Sequence, residues 1–145
     1  MKIVFIGYRG SGKTTLSKIL QKEMDWPRID LDLEVEAKLA KRIPQIIKYY
    51  GWSFFRSWET KILTEYQMFD RYILDLGGGA IMNPANQAMI RKNAMIIYLY
   101  CSQSILITRL IKENTRPPLT DLNYKDEIIH ILKERNPIYY RYADV

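Results

Sequence analysis

The sequence predicts an α/β protein in which helices cover both faces of a central parallel β-sheet, a three-layer α/β/α sandwich. Short runs of β-branched and aromatic residues alternate with longer runs of helical periodicity along its 145 residues. Three of the short runs are too continuously apolar to have a face in water, as is typical of parallel strands covered on both sides. A glycine-rich turn joins the first strand to the first helix. We therefore expect right-handed crossover connections between the strands.

Each element follows from its local pattern, taken in chain order. Strands are predicted where β-branched or aromatic residues form short runs, at Lys2–Ile6, Arg28–Asp30, Tyr72–Leu76 and Met95–Tyr100. Helices are predicted for the longer periodic runs, at Lys13–Met24, Leu33–Ala40, Pro44–Tyr50, Phe54–Phe69, Pro84–Lys92, Ser104–Glu113 and Asp126–Arg135. No repeat or linker interrupts them, so we expect residues 1–145 to form one domain.

Composition limits the classes of function. The apolar run at the start is too short for a signal peptide or a membrane span, so we expect a cytoplasmic protein with no membrane contact. The sequence has a single cysteine, Cys101, which excludes an internal disulfide. Because His130 is the only histidine, the sequence has too few thiolate and imidazole ligands for a zinc site, and none is expected. The net charge of +6 indicates either an anionic partner or a solvated basic surface.

The turn after the first strand has the sequence GYRGSGKTT, which fits the phosphate-binding pattern G-x-x-x-x-G-K-[ST] between a strand and a helix. Glycines let backbone N–H groups surround a phosphate, and the helix that begins at Lys13 directs its positive dipole end at the same anion. Lys13 would reach the β and γ phosphates, and the Thr14 hydroxyl would ligate Mg²⁺. This pattern indicates a nucleoside triphosphate site.

The rest of the chain narrows the class of nucleotide-binding protein. A guanine-reading N-K-x-D motif is absent from the sequence, since the stretch at 123–126 reads NYKD. A nucleic-acid motor would need a second lobe, for which this length leaves no room. A kinase for a small molecule fits the length better.

Two aspartates in the stretch RIDLDLEVE follow the second predicted strand. Asp30 and Asp32 would lie at the carboxyl edge of the sheet, where ligands of α/β proteins bind. One carboxylate could hold Mg²⁺ and the other could accept the proton of an attacking hydroxyl. Helix capping and favourable charge in the first helical turn remain the alternative.

Arginines and glycines recur at further points along the chain. Arg56 and Glu59 in FFRSWE lie three apart on one helix face, and three glycines follow an apolar strand in DLGGGAI. Arg116 lies in the polar loop ENTRPPLT, and Arg135 precedes a proline in ERNPIYY. Each arginine suits a carboxylate or phosphoryl group. Taken singly, a surface ion pair, a tight turn or a solubilising charge explains each of them equally well.

Taken in order, these motifs resemble the shikimate kinase family over nearly the whole chain. The ordered set comprises the phosphate loop, D-x-D, F-R-x-x-E, the triple glycine, R-P and R-x-P-x-Y. The resemblance implies a P-loop kinase fold with five strands, of which four are identifiable here; the family's C-terminal strand and helix would follow YRYADV and are expected to be missing from this chain. It also implies ATP-dependent phosphorylation of the 3-hydroxyl of shikimate, Mg²⁺ as cofactor, a lid loop near 113–125, and a monomer that does not bind nucleic acid.

The resemblance assigns roles to particular residues. It implies catalytic roles for Lys13, Asp32 and Arg116. It implies nucleotide binding by Gly10, Ser11, Gly12, Lys13, Thr14, Thr15, Arg109 and Arg116. It implies shikimate binding by Asp32, Phe55, Arg56, Gly78, Gly79 and Arg135. It implies Mg²⁺ binding by Thr14 and Asp30.

Two residues depart from the family pattern. Asp75 stands in the strand before the triple glycine, where the family tends to have a small uncharged residue; it would serve the Mg²⁺ shell or be a buried acid with an unidentified partner. Ile47 stands where an aromatic pocket residue is expected.

The alternatives to shikimate phosphorylation are the activity of another small-molecule kinase, of gluconate or nucleotide type, or the role of a non-catalytic relative.

Overall fold

A parallel β-sheet covered by helices forms the centre of the computed structural model, which describes residues 1–113 and 117–145. The strands are β1 (Lys2–Ile6), β2 (Arg28–Asp30), β3 (Tyr72–Asp75) and β4 (Ala94–Tyr98). The helices are α1 (Lys13–Met24), α2 (Leu31–Leu39), α3 (Ile43–Tyr50), α4 (Trp52–Glu65), α5 (Pro84–Arg91), α6 (Gln103–Glu113) and α7 (Tyr124–Tyr142). Short 3₁₀ turns follow α4 and β3, at Tyr66–Met68 and Ala80–Met82. The predicted α/β class is confirmed.

The strands lie in the order β2-β3-β1-β4, and all neighbours are parallel. Side chains alternate along β1: Val4 and Ile6 pack into the larger core with α4, α5 and α7, whereas Ile3 and Phe5 pack against α1. Both faces of the sheet are therefore buried, which explains why residues 3–6 of β1 are all apolar. The order brings β1 between β3 and β4, so the loop after β1 lies at the middle of the carboxyl edge.

Some predicted boundaries differ from the structure. Helix α2 begins at Leu31 rather than Leu33, because the Asp30 carboxylate caps it by accepting the Leu33 N–H at 3.2 Å. Helix α4 begins at Trp52 and ends at Glu65, before a 3₁₀ turn. These shifts leave the order of elements unchanged.

Helix α7 is much longer than predicted, because it continues through Pro137 to Tyr142 instead of ending at Arg135. A proline in a helix removes one hydrogen-bond donor and usually ends or bends the helix. Here tertiary contacts outweigh that cost: Tyr139, beyond the proline, is fully buried, and its hydroxyl donates to the Gly78 carbonyl at 2.5 Å.

The last two residues run along the outer edge of β4. The Asp144 N–H donates to the Ile96 carbonyl, and the Tyr98 N–H donates to the Val145 carbonyl, both at 2.8 Å. These bonds pair backbone groups that an open strand edge would leave to water.

Among the described residues, none of the helices is both long and apolar enough to span a bilayer.

Candidate active site

A glycine-rich loop joins β1 to α1 at the middle of the sheet's carboxyl edge. Gly7, Gly10 and Gly12 have φ angles of 144°, 81° and 101°, a region that favours glycine. A β-carbon on Gly7 would lie 2.7 Å from the Leu99 carbonyl oxygen, so this position also requires close approach. The loop and the first turn of α1 line a cleft of about 600 Å³, here called the larger cleft. Its helix N-terminus favours an anion.

The larger cleft brings together the residues predicted to bind nucleotide. The described ones all line it: Gly10, Ser11, Gly12, Lys13, Thr14, Thr15 and Arg109. The Lys13 ammonium donates to the Gly7 and Tyr8 carbonyls at 2.8 and 3.0 Å. Arg109, from α6, donates to the Gly10 carbonyl at 2.8 Å. Arg116, which was also predicted here, lies outside the described residues.

One loop hydroxyl indicates what the larger cleft is suited to hold. The Ser11 hydroxyl is buried and has no hydrogen-bond partner among the described residues. A buried polar group without a partner costs free energy, so a ligand with acceptor oxygens would stabilise this loop. A triphosphate has such oxygens and carries the negative charge that the helix N-terminus favours.

Acidic and basic side chains meet where β2 and β3 end. The Arg28 Nη2 donates to Asp30 Oδ2 at 2.9 Å and to Asp75 Oδ2 at 2.7 Å. Asp75 Oδ2 also accepts the Thr14 hydroxyl at 2.7 Å. The partner of Asp75 that the sequence left unidentified is therefore Arg28, and Asp75 touches the phosphate loop as well.

The two predicted aspartates occupy different places. Asp30 caps α2 and does not line the larger cleft, which confirms the capping interpretation. Burial raises the pKa of Asp30 and the nearby Asp75 carboxylate raises it further, while the Leu33 N–H and Arg28 oppose this. Asp32, in the first turn of α2, lines the larger cleft and also the smaller pocket next to it.

The side-chain oxygens near the phosphate loop are suitable ligands for Mg²⁺. Hydroxyl and carboxylate oxygens of Thr14, Asp30 and Asp75 lie within one hydrogen-bonded group, and Mg²⁺ prefers oxygen ligands. Among the described residues, there is no cluster of three or more acidic, histidine or cysteine side chains that could hold a metal alone. Mg²⁺ in kinases is bound by one or two protein groups together with substrate phosphates, so this sparse set is suitable.

The triple glycine after β3 makes room for the charged side chains around the smaller pocket. A β-carbon on Gly77 would lie 3.0 Å from Asp32 Oδ1, and one on Gly78 would lie 3.0 Å from Arg135 Nη1. One on Gly79 would overlap the Arg56 guanidinium. Because these three residues lack β-carbons, the side chains of Asp32, Arg56 and Arg135 can all approach the same short backbone segment.

The smaller pocket, of about 30 Å³, is lined by arginine, acidic and aromatic side chains together with the triple glycine. Arg56 donates through Nη1 to both carboxylate oxygens of Glu59, at 3.0 and 2.9 Å. Burial raises the pKa of Glu59 to about 7, although Arg56 opposes the shift. Arg135 lies over the Tyr8 ring, 5.6 Å from its centroid. Two guanidinium groups therefore face the space beside Asp32.

Two apolar residues singled out from the sequence lie behind this pocket. Phe55 is buried in the larger core, under the Arg56 guanidinium at 5.4 Å, and it is not among the lining residues. Ile47 is also buried in that core. The aromatic lining comes from Trp52, one turn before Arg56, and from Tyr8 in the phosphate loop. Neither was selected from the sequence, because both resemble ordinary core residues there.

Glu127 is a further pocket residue that sequence reasoning missed. Its Oε1 accepts the Leu119 and Thr120 N–H groups at 2.6 and 2.7 Å and the Thr120 hydroxyl at 3.1 Å. Glu127 is buried near the start of α7, so it fixes the part of the predicted lid at Leu119 and Thr120 to that helix. A single glutamate in a charged helical stretch carries no sequence pattern that predicts this contact.

A parallel sheet whose first strand leads into a phosphate loop is typical of P-loop nucleotide-binding proteins, and a second charged pocket beside the loop suits a kinase among them. The chain belongs to the shikimate kinase family, since the family model for shikimate kinase matches residues 9–145. It is 34% identical over 137 residues to a shikimate kinase of Caldicellulosiruptor bescii, a match that covers 94% of this chain and 80% of that protein.

Solved structures agree with this assignment. Shikimate kinase from Acinetobacter baumannii, in complex with shikimate, has a TM-score of 0.92 at 31% identity; the match covers 99% of this chain and 80% of that one. Shikimate kinase from Aquifex aeolicus has a TM-score of 0.82 at 27% identity, covering 99% and 83%. The P-loop kinase fold predicted from the sequence is confirmed.

Proposed function

We propose that this chain transfers the γ-phosphoryl group of ATP to the 3-hydroxyl of shikimate, giving shikimate 3-phosphate, ADP and a proton. Membership of the shikimate kinase family supports ATP as the donor and shikimate as the acceptor. The observation that carries the proposal is the position of Asp32, which lines both the larger cleft and the smaller pocket. A carboxylate between donor and acceptor sites suits a group that accepts the hydroxyl proton.

The charges of the smaller pocket support an acidic acceptor. Arg56 and Arg135 both line it, and a guanidinium group pairs with a carboxylate through two parallel hydrogen bonds. A neutral acceptor would leave these cations unpaired in a partly dry pocket, which costs affinity. The backbone at Gly78 and Gly79 is proposed to contact the ring hydroxyls, and Phe55 to support the pocket from behind.

The proposed chemistry needs charge stabilisation more than covalent steps. Negative charge spreads over the oxygens of the transferring phosphoryl group, so cations around it lower the barrier. Lys13 and the loop N–H groups supply positive charge in the larger cleft, and Arg116 is proposed to supply more. Asp32 orients the 3-hydroxyl and takes its proton as the new phosphoester bond forms. Arg109 is proposed to lie against the adenine.

Mg²⁺ is proposed as the cofactor, with Thr14 and Asp30 as the residues that hold it. When bound, it would neutralise charge on the phosphate oxygens. The Thr14 hydroxyl lies in the first turn of α1 beside the loop, within the larger cleft. Asp30 would act from beneath the larger cleft, as one of the two carboxylates that Arg28 bridges, the other being that of Asp75.

The remaining expectations complete the proposal. Residues 1–145 act as one domain, with a lid near 113–125 that closes when both ligands are present and excludes water. A monomer is proposed, as the resemblance to the family implies. ATP as donor suits a cytoplasmic location. The arginines near the pockets serve small ligands, so no nucleic-acid partner is proposed.

The test is ADP release from Mg·ATP with and without shikimate, with gluconate and a nucleoside monophosphate as control acceptors. Release that requires shikimate and neither control is the expected result. Release stimulated by gluconate or by the monophosphate would instead support another small-molecule kinase. Retained nucleotide binding with no release for any acceptor would support the non-catalytic alternative.

A further inference from the structure

One wall of the smaller pocket comes from the segment between α6 and α7. Pro117 and Leu119 line the pocket from this segment, which contains neither helix nor strand over residues 117–123. The Leu119 side chain also packs on the smaller cluster of core residues that includes Leu110 and Ile128. The backbone of this wall is therefore held by side chains and not by the hydrogen bonds of a helix or a sheet.

Glu127 is the side chain that holds this segment. Its Oε1 accepts the N–H groups of Leu119 and Thr120 at 2.6 and 2.7 Å and the Thr120 hydroxyl at 3.1 Å. Glu127 is only 4% exposed and lies in the first turn of α7, where the helix N-terminus favours a negative charge. Hydrogen bonds to a carboxylate are stronger than those between neutral groups. Glu127 therefore anchors the backbone beside Leu119 to α7.

Helix α7 contributes to two sides of the smaller pocket. Arg135 follows Glu127 by about two turns of this helix, and both side chains line the pocket. One turn further along, the Tyr139 hydroxyl donates to the Gly78 carbonyl and fixes α7 against the triple glycine. A segment bonded to Glu127 is therefore held at a set position relative to Arg135 and to the triple glycine.

We propose that Glu127 is a positioning residue for the acceptor, because its carboxylate holds the backbone of Leu119 and Thr120 and so keeps the Leu119 side chain in the pocket wall. This inference rests on the proposed function, since it assumes that shikimate binds in the smaller pocket. It assigns a part in acceptor binding to a residue outside the motifs by which the chain resembles the family.

The strength of the anchor sets the size of the effect. Each hydrogen bond to a charged group typically corresponds to a factor of about ten or more in an equilibrium constant. The apparent affinity for a ligand falls in proportion to the fraction of molecules in which its site is formed. Without the Glu127 carboxylate, the wall at Leu119 is in place in a smaller fraction of molecules, and acceptor binding weakens.

The direction of the effect separates anchoring from charge. Arg56 and Arg135 line the same pocket as Glu127. Removing a negative charge beside two cations strengthens the binding of a carboxylate by Coulombic attraction alone. Loss of the anchor has the opposite effect, so weaker shikimate binding in a variant that lacks the Glu127 carboxylate does not arise from its charge.

The test measures the dissociation constants of shikimate and, separately, of Mg·ADP by calorimetry for the wild type and Glu127→Ala. The value for shikimate is expected to rise about tenfold or more. The value for Mg·ADP is expected to change by less than about threefold, because neither Glu127 nor Leu119 lines the larger cleft. An unchanged or lower value for shikimate would overturn the proposal, as would equal losses for both ligands.

Asp126→Asn is the matched control. It removes one negative charge from the same first turn of α7 and keeps an acceptor oxygen for the Asn123 side chain. Its dissociation constant for shikimate should stay near that of the wild type. A loss as large as that of Glu127→Ala would assign the effect to the charge of the helical turn and refute the anchoring role.

Two further variants test the route through Leu119. Leu119→Ala should itself weaken shikimate binding, and adding Glu127→Ala to it should weaken binding little further, whereas fully additive losses would refute this route. Glu127→Asp keeps the negative charge but is one methylene shorter, so its carboxylate no longer reaches both N–H groups. It should weaken shikimate binding in the same direction even if Glu127→Ala does not fold, and unchanged binding in Glu127→Asp would contradict the proposal.

The outcome for the wild type distinguishes this inference from the proposed function. Wild-type protein that binds Mg·ADP but not shikimate would contradict the proposed acceptor and this inference together. Wild-type protein that binds and phosphorylates shikimate, with unaltered shikimate binding in Glu127→Ala, would contradict the inference alone.

Discussion

Arg56 and Glu59 form a partly buried ion pair one helical turn apart in α4, in which one guanidinium nitrogen donates to both carboxylate oxygens at 3.0 and 2.9 Å. Glu59 is fully buried, whereas Arg56 keeps about a quarter of its side chain exposed, at 27%. The glutamate therefore fixes the arginine from the core side and leaves its outer face toward the smaller pocket. A substrate carboxylate and Glu59 would share this guanidinium.

The raised pKa of Glu59 predicts a pH-dependent stability. Its pKa rises from the ordinary 4.5 to about 7 in the folded state, so the folded protein binds more protons than the unfolded chain between these values. The contribution of Glu59 to the free energy of unfolding is complete below pH 4.5 and is lost as pH rises through about 7. The slope is at most about 1.4 kcal/mol per pH unit, the value for one proton.

Glu59→Gln should remove this component, because the glutamine does not titrate. Urea unfolding of both proteins at several pH values from 4.5 to 7.5 measures it. A difference in stability between wild type and variant that stays constant over this range would show that the pKa of Glu59 is not raised.

Gly79→Ala should disturb shikimate binding through Arg56. Gly79 has an ordinary φ of −98°, so alanine strains no backbone there, but its β-carbon would overlap the Arg56 guanidinium. Displacing a positioning group by about 1 Å can cost roughly 10²-fold, and a loss of this order in kcat/KM for shikimate is expected. The double variant with Arg56→Ala is the control. Its kcat/KM for shikimate should be little lower than that of Arg56→Ala alone, and fully additive losses would show that Gly79→Ala does not act through Arg56.

Arg28→Met should destabilise the protein by about 3–5 kcal/mol, because it leaves the buried carboxylate of Asp75 without its cation. The double variant Arg28→Met/Asp75→Asn removes the uncompensated charge and should recover more than half of that loss. Urea unfolding of the two variants and the wild type measures both values. Equal stability of the single and double variants would mean that charge pairing is not what Arg28 contributes.

Asp32→Asn should lower kcat by about 10² to 10⁴ if Asp32 accepts the hydroxyl proton. Glu34→Gln removes one negative charge from the same first turn of α2 and serves as the matched control, with kcat near that of the wild type. Steady-state rates with saturating shikimate and Mg·ATP measure the effect. A higher KM for shikimate with unchanged kcat would make Asp32 a binding residue and not the base.

Arg135→Lys should raise the KM for shikimate by about tenfold with a smaller change in kcat, because lysine lacks the planar fork that pairs with a carboxylate. The KM for ATP should stay the same. Arg91→Lys, at an exposed arginine paired with Asp144, is the control for the same substitution away from the pockets. An equal rise in both KM values would indicate a structural role.

The phosphate loop and the order of elements could be predicted because their patterns are local. Glycine spacing around Lys13 and the apolar run before it involve neighbouring residues only, and the structure has both as predicted. The same holds for the capping role of Asp30, which depends on a residue three positions away. Short-range physics is sufficient for such features.

Other features depend on contacts that no local pattern encodes. Arg28 and Asp75 are 47 residues apart, and only the neighbouring positions of β2 and β3 bring them together. The extension of α7 past Pro137 depends on the burial of Tyr139 in the core, which outweighs the local preference of proline. Trp52 is part of the pocket lining because of how α4 meets the triple glycine.

The tip of β3 is also where distant parts of the chain join, and this bears on how the protein folds. The bond from Thr14 to Asp75 and the bond from Tyr139 to Gly78 each close a loop of 61 residues, one toward α1 and one toward α7. Closing such loops costs chain entropy before the contacts stabilise the fold, and contacts distant in sequence therefore slow folding. Both the larger cleft and the smaller pocket include residues next to this tip, so we expect ligand binding to return with these long-range contacts and not with local helix formation.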